Sequence, residues 1–445
     1  MKLKRFSKGG VHPNPMKLTE GRPITPTPAP REVRLLLSQH IGAPAKCIVK
    51  PGEEVAEGQK IAEAGGFVSA PVHSPIAGKV KKIELVRDAQ GLWKEAVLIE
   101  AHPLAEGEKR KMVEFAEPKP LRSDEEIAKL SGKDIIEIIG EAGIVGLGGA
   151  AFPTRVKLSI PPGKKADCFL INGAECEPYL TCDDALMRKY PRQIIDGVKL
   201  LMRAADTPEA CIGIEANKPE AIQAMEAATM GLQNVHVVPL RTRYPQGGEK
   251  QLIQALTGRV VPAGGLPIDA GAVVDNVATA FAVHRAVRYG EPLYKRVVTV
   301  TGEEMHKGGN FIAANGMTTR ELLDMAGGLP KDTGKLIAGG PMMGRAMSTD
   351  EAPLVKASGG FLAMPESESQ RGEVGPCIRC CKCVDACPMN LQPYLLQILG
   401  EFDKPEEAKE NGVMNCIECG CCSYTCPSNR PLLDYIRLSK IQLKK

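Results

Sequence analysis

The sequence predicts a multidomain α/β and α+β chain in four parts: a β-sandwich hybrid, an α/β ligand-binding domain, a β-grasp domain and a small cysteine-rich domain. Three observations lead there. Short strand patterns with Gly and Pro turns open the chain, glycine-rich and polar loops follow apolar strand patterns in its middle, and cysteines recur in two matched runs after residue 376. A length of 445 residues suits about three or four domains.

Composition narrows the function classes. Net charge is +4, from 57 basic against 53 acidic residues, and aromatics make up 4%. Neither a basic footprint nor a supply of stacking rings points to nucleic acid. No run of about 18 apolar residues occurs, so no membrane-spanning helix is expected. MKLKRFSKGGVHPNP is basic but has no apolar stretch, so no secretory signal is expected there. Of fifteen cysteines, ten fall within 377–426. That density favours metal in a reducing compartment over disulfides.

Residues 1–115 read as an arm followed by the sandwich. The Pro/Thr-rich stretch 18–31 suits an extended arm lying on another surface. VAEGQKI, followed by SPIAGKV, has the pattern of a lipoyl-like β-sandwich hybrid. The turn APVHSPIAG lacks the Met-Lys-Met that carries a swinging arm. A structural or docking role is therefore expected, with His73 as a turn residue.

Residues 116–292 carry the loops. Ser123 is the N-cap candidate for a helix over SDEEIAKLSGKDIIEIIGEAG. GIVGLGGAAFPTRVK, 143–157, follows. Gly146, Gly148 and Gly149 remove side chains where a backbone must approach a ligand closely, and Lys157 can neutralise a phosphate. Alone, the loop reads equally as a tight turn, since it is neither G-x-G-x-x-G after a strand nor a P-loop. CFLIN is a buried-strand pattern that delivers Asn172, then Glu175 and Glu177, into a turn. Polar residues at the carboxyl end of an α/β strand are where ligands sit. YPQGGEK, 244–250, is a Gly-Gly-Glu turn before a helix. VVDNVATAFAVHRAV, 273–287, places Asp275, Asn276 and Thr279 near a helix N-terminus, a favourable site for a phosphate or a polar ring edge.

Residues 293–350 open with RVVTVTG, a strand. GMTTRELLDMAGG follows, a helix with a Thr N-cap, and then KLIAGGPMMG, a strand into a turn. This is β-grasp grammar, resembling the soluble-ligand-binding β-grasp module, with Met342 and Met343 read as packing residues. Residues 351–370 read as a partly flexible linker.

Residues 371–445 hold the cysteines. Cys377, Cys380, Cys383 and Cys387 are spaced C-x2-C-x2-C-x3-C-P, and Cys416, Cys419, Cys422 and Cys426 repeat the run. Zinc sites use well-separated pairs. Here three closely spaced cysteines suit one face of a cubane, and the fourth reaches the other cluster, as in bacterial-type two-cluster ferredoxins. The spacing therefore assigns Cys377, Cys380, Cys383 and Cys426 to one [4Fe–4S] cluster. Cys416, Cys419, Cys422 and Cys387 hold the second. Cys381 and Cys421 are left over. RPLLDYIRLSKIQLKK has helical spacing and suits a helix covering this unit or a partner.

Together the four loop stretches resemble the flavin-binding, NADH-oxidising subunit of respiratory complex I and of related hydrogenases and formate dehydrogenases. That family carries GxRGRGGAGFPTGxKW, NADEGEPG, a YxxGEE turn and VVNNVET. This chain departs at Leu147, Ala174 and Gly248, leaving Glu249 of the acidic pair. GGVHPNPMK, INGAECEPYLTCDDALM, LIAGGPMMG and the tandem cysteine runs are similar instead to the RnfC family of Rnf electron transport complexes, over nearly the whole chain. The resemblance implies an FMN/NADH-binding domain. FMN contacts would fall to Gly146, Gly148, Gly149, Lys157, Asn172, Glu175, Gly247, Asn276 and Thr279. Phe152 would stack on the NADH adenine, and Glu177 and Glu249 would approach the nicotinamide end as the catalytic candidates.

The resemblance further implies a peripheral protein on the cytoplasmic face of the inner membrane. It would pass electrons between NAD(H), FMN and two [4Fe–4S] clusters in an ion-translocating ferredoxin:NAD+ oxidoreductase. Its partners would be membrane and iron–sulfur subunits of that complex and, indirectly, ferredoxin. The alternatives are a soluble flavin/iron–sulfur reductase for a protein or corrinoid partner, and an electron wire without flavin.

Overall fold

The computed structural model describes residues 3–444. Four parallel strands form the central sheet of the α/β unit, in the order Val235–Leu240, Ala210–Glu215, Cys168–Gly173, Ala272–Asn276. Strands buried on both faces need apolar side chains on both, which is why CFLING and AVVDN lack polar alternation until their last residues. Phe169, Ile171 and Val273 face the core shared with helices Pro191–Ala204 and Val277–Tyr289. Leu170, Ala272 and Val274 face helix Glu249–Thr257 through Leu252 and Leu256.

The chain adds the first three strands outward in one direction. It then crosses back to lay Ala272–Asn276 on the far side of Cys168–Gly173. Strand order reverses between those two, and in open α/β sheets the crevice at such a reversal is the ligand site. Register sets Asn172 directly opposite Asn276 at the carboxyl end of both strands.

The helix expected over 123–143 is two helices, Asp124–Lys129 and Gly132–Glu141. Leu130 is extended, and Ser131 starts a second capping box with Asp134, so the side chain competes successfully for a continuing turn. Ser123 caps the first helix, with Glu126 completing its box.

The sandwich packs a four-stranded sheet on a three-stranded one. Its core includes Val33, Leu35, Ile61, Val72, Val80, Val97 and Ile99. His73 is not a turn residue. It is buried in the short strand Val72–His73, and burial holds its imidazole down at about 3.

The β-grasp sheet is larger than the sequence suggests. It has seven strands, and the N-terminal arm supplies one, Ile24–Pro28, parallel to Gly309–Ala314. Residues 351–370 are no flexible linker. Gly360–Pro365 pairs with both Lys295–Gly302 and Thr333–Ala338. Just before it, Lys356 is 1% exposed. Its ammonium donates to Pro71 O at 2.7 Å and Gly143 O at 2.6 Å, tying the sandwich to the start of the glycine loop. In the cysteine-rich unit, helices Pro393–Glu401, Pro405–Glu410 and Leu432–Gln442 enclose Leu396, Leu399, Ala408 and Ile436. Among the described residues no helix is long and apolar enough to cross a membrane.

Burial pushes the Lys356 amine down from 10.5 to about 7. The unfolded chain keeps this proton up to 10.5 while the folded chain releases it near 7, so the burial cost is full below pH 7 and is relieved as pH climbs between the two values. Lys356→Met should therefore flatten part of the rise in thermal stability between pH 7 and pH 10, measured against the parent protein in parallel melts.

Candidate functional site

The glycine loop lies over the reversal crevice. Gly146 N donates to Phe152 O at 2.9 Å, and Val145 bridges Pro153, closing the loop on itself. Leu147 N donates to Thr279 Oγ1 at 3.0 Å, and Arg296 Nη2 donates to Leu147 O at 3.4 Å. Gly148, Gly149 and Ala150 are exposed at its tip, and Phe152 is half-buried just beyond them. A Cβ on Gly148 would sit 2.8 Å from Asn276 Nδ2, whereas one on Gly149 would meet open space.

Beneath the loop, Lys157 Nζ donates to Val274 O at 2.9 Å and to Asp275 Oδ1 at 3.4 Å, and lies 3.9 Å from Glu249 Oε1. Against the cost of burial, Asp275 and Glu249 hold the Lys157 pKa up. Asp275 is fully buried; desolvation pushes its carboxyl up while Lys157 opposes. Its Oδ2 has no hydrogen-bond partner among the described residues. A lysine and bare loop backbone suit the anionic or carbonyl groups of a ligand, and the orphaned carboxylate oxygen suits a hydroxyl or ring N–H, so the crevice fits a polar ligand with both, such as FMN.

Asn172 and Asn276 stitch the strand ends together. Asn276 caps helix Val277–Tyr289 through its Oδ1 and donates from Nδ2 to Asn172 O at 3.2 Å and to Asp183 Oδ2 at 2.7 Å. Asn172 Nδ2 donates to Gly247 O at 2.8 Å. The loop, both asparagines, Gly247, Lys157, Thr279 and Glu249 thus come together.

Glu175 and Glu177 are engaged elsewhere. Glu175 accepts from Asp183 N at 3.0 Å and Asp184 N at 3.3 Å, at the start of helix Cys182–Lys189. There the helix dipole favours an anion. Burial, with Glu175 alongside, pushes the Asp183 carboxyl up. Glu177 Oε1 accepts from Met342 N at 2.7 Å and Met343 N at 2.9 Å. Burial pushes Glu177 up, opposed by those two amides.

Sequence reasoning passed over Asp183, Tyr244, Arg296 and Lys17. Lys17 Nζ donates to the carbonyls of Glu175, Glu177 and Leu180 at 2.8, 2.9 and 2.6 Å. Asp183 carried a signal, lying in TCDD just after the acidic loop.

The cysteine runs mirror each other in backbone as well as spacing. Arg379 and Cys381 of the first run and Glu418 and Gly420 of the second all have positive φ. Three side-chain-bearing residues in that region at matched positions are strained. In the second run the turn points an amide at sulfur, Glu418 N donating to Cys416 Sγ at 3.4 Å, and just past the first run Leu391 N donates to Cys387 Sγ at 3.4 Å. Such amides suit cluster-bound thiolates. Cys387, from the first run, lies among Cys416, Cys419 and Cys422. Burial and these neighbouring thiols push Cys416 up to about 11 and Cys422 to about 12. Cys426, from the second run, is the thiol beside Cys383. Gly375 N donates to Ser428 O at 3.0 Å, laying the segment before Cys377 against the one after Cys426. Cys377 and Cys380 are exposed, whereas Cys387, Cys419 and Cys422 are buried.

Comparison with known proteins agrees with this geometry. Family models match as the Nuo51 FMN-binding domain over 139–285, the RnfC barrel sandwich hybrid domain over 5–103, the SLBB domain over 297–346 and the 4Fe-4S dicluster domain over 365–427. An FMN-binding domain and a dicluster domain in one chain define the class of flavin and iron–sulfur electron-transfer proteins. Within that class, the chain belongs to the RnfC family, the C subunits of the Rnf ion-translocating oxidoreductase complexes.

The C subunit of the proton-translocating ferredoxin:NAD(+) oxidoreductase complex of Clostridium ljungdahlii is 44% identical over 441 residues, 98% of this chain and 94% of the relative. Its Na(+)-translocating counterpart from Acetobacterium woodii is 40% identical, over 98% of this chain and 96% of the relative. The C subunit of the ion-translocating oxidoreductase complex of Rhodobacter capsulatus is 40% identical, over 100% and 84%. A chain of an NAD+-reducing [NiFe]-hydrogenase aligns over 69% of this chain and 62% of its own at 18% identity, with a TM-score of 0.48.

Removing one partner of a buried ion pair strands the other, at a cost of about 3 kcal/mol. Lys157→Met should lower the stability of the flavin-type domain by that order in urea unfolding, and adding Asp275→Asn should recover most of the loss.

Proposed function

We propose that this chain is the NAD(H)- and FMN-bearing electron-transfer subunit of an ion-translocating ferredoxin:NAD+ oxidoreductase. In this reading it holds two [4Fe–4S] clusters with the crossed cysteine assignment and sits peripherally on the cytoplasmic face of the membrane. Its partners are membrane and iron–sulfur subunits that carry out the translocation, with ferredoxin indirectly linked. The division of labour follows the sequence boundaries: sandwich to 115, flavin domain 116–292, β-grasp 293–350 extended by the strand at 360–365, and cluster domain 371–445.

The observation that carries this reading is the contact of Tyr244 with Cys419. The Tyr244 hydroxyl, buried in the turn next to Gly247, donates to Cys419 O at 2.7 Å. One side chain thus bridges the candidate flavin crevice and the backbone of the second cysteine group.

When bound, FMN accepts the electron pair that NADH gives as hydride and releases it as single electrons. The chain's own residues supply binding and orientation. Lys157 and the backbone at Gly148 and Gly149 meet the anionic end of the ligand. Asn172, Asn276 and Thr279 fix the crevice wall, and Glu249 is the carboxylate on the open side, 43% exposed. Glu175 and Glu177 hold the acidic loop in shape.

The crossed assignment makes a distinctive prediction for purified anaerobic protein. The parent should carry about eight irons and one FMN per chain. Cys387→Ala and Cys416→Ala should each lose about half the iron, and the double variant should lose no more than either alone. Cys421→Ser should keep its iron. Additive losses from Cys387→Ala and Cys416→Ala would overturn the crossing, and a parent with iron but no affinity for added FMN would leave only an electron wire.

A further inference from the structure

The N-terminal segment GGVHPNPMK lies outside the sandwich. One end seats on the first cysteine run. Gly10 N donates to Ala386 O at 2.8 Å. Gly9 has φ +68°, and a Cβ there would lie 2.5 Å from the Cys387 carbonyl carbon. Val11 exchanges backbone hydrogen bonds with Tyr244, at 2.8 and 3.0 Å, in an antiparallel bridge. The other end seats on the acidic loop. Pro15 O accepts from Tyr179 N at 3.0 Å. The Lys17 ammonium spends all three donors on the carbonyls of Glu175, Glu177 and Leu180. Next to it, Thr19 and Thr181 hydroxyls meet at 2.5 Å. Between the two anchors run His12, Pro13 and Asn14, of which His12 and Asn14 are exposed and Asn14 Oδ1 accepts from Met16 N at 3.4 Å. Prolines at 13 and 15 fix φ and shorten the list of conformations this span can take.

We propose that residues 9–17 are a strap that sets the position of the Cys387-containing group relative to the flavin crevice, with Lys17 as the positioning residue at the flavin end. This rests on the proposed function and adds to it an element with no ligand of its own. A chain segment anchored by glycine contact to a cluster-ligand backbone, and by an ammonium to the loop beside the flavin, holds the gap between them together with the direct Tyr244–Cys419 and Gln251–Met389 contacts. With NADH as the donor, a bound flavin would take the electron pair and pass it singly across that gap to iron held by the cysteines. The strap would bear on this last transfer.

The test lengthens the strap without altering either anchor, by inserting Gly-Ser after Pro13 in the full-length holoprotein. FMN and iron content should stay at the parent level, as should NADH-driven reduction of a dye that draws electrons from the flavin. Flavin-to-cluster transfer, followed by stopped-flow absorbance, should slow by about tenfold, as small misplacements do. Hydrogen exchange at the Tyr179 and Tyr244 amides, both bonded to the strap, should quicken. If the insertion does not yield folded protein, Gly10→Ala is read in the same way, since its Cβ would press to 2.6 Å from Tyr244 O. Unchanged transfer with unchanged exchange would overturn the strap, and so would equal loss of the dye and cluster reactions. If the parent binds no FMN, the functional reading fails instead, and the strap is then judged by exchange alone: quickening at both tyrosines supports it, and quickening at neither or one overturns it.

Discussion

The carboxylate of Glu177 is the joint on which three units close. It comes from the acidic loop of the α/β sheet, accepts two amides from the Met342–Met343 turn of the β-grasp unit and lies beside Tyr244, which reaches Cys419. A buried carboxylate without donors would cost several kcal/mol, so the turn must present its amides there. The approach is close enough that a Cβ on Gly340 would fall 2.2 Å from Glu177 Cγ. The pairing of GAECEP with GGPMMG, far apart in sequence, is therefore a single requirement.

A second constraint is electrostatic. Lys17, Arg296 and Lys356 come from outside the α/β unit, and each directs its charge at backbone carbonyls of the loops that frame the crevice. Lys356 has no carboxylate close enough to shift it. Lys17 faces Glu175 and Glu215, Arg296 faces Asp183, and Lys356 gives up its proton near neutral pH, so what the three add is fixed loop geometry through their hydrogen bonds. The sandwich and β-grasp modules thus act on the crevice through hydrogen bonds as well as packing.

Much of this is legible in the sequence, for local reasons. Cluster ligation needs cysteines at fixed short spacing, so both runs announce themselves. Asn172 and Asn276 stand at the ends of apolar strands, and a strand end is a visible place. What escapes depends on partners without a signature. Lys17, Arg296 and Lys356 bond carbonyls, which every residue has, at sites far along the chain. GGFLAMP reads as linker because a strand of six residues declares its pairing only when its neighbours are known. Two helices stand where the pattern suggests one because Ser131 and Asp134 form a capping box inside an otherwise periodic segment. Glu175 and Glu177 are visible as acids, but the amides they accept lie across a turn and across a module boundary.

A continuous path from the NAD(H) site through flavin to cysteine-held iron within one chain is the central claim. Its most direct test is the visible spectrum of the anaerobic, purified protein as NADH is added, with iron and flavin counted in the same sample. The predicted result is loss of flavin absorbance together with partial loss of cluster absorbance, without any partner present. Intact iron with neither band changing, even after FMN is supplied, would contradict it.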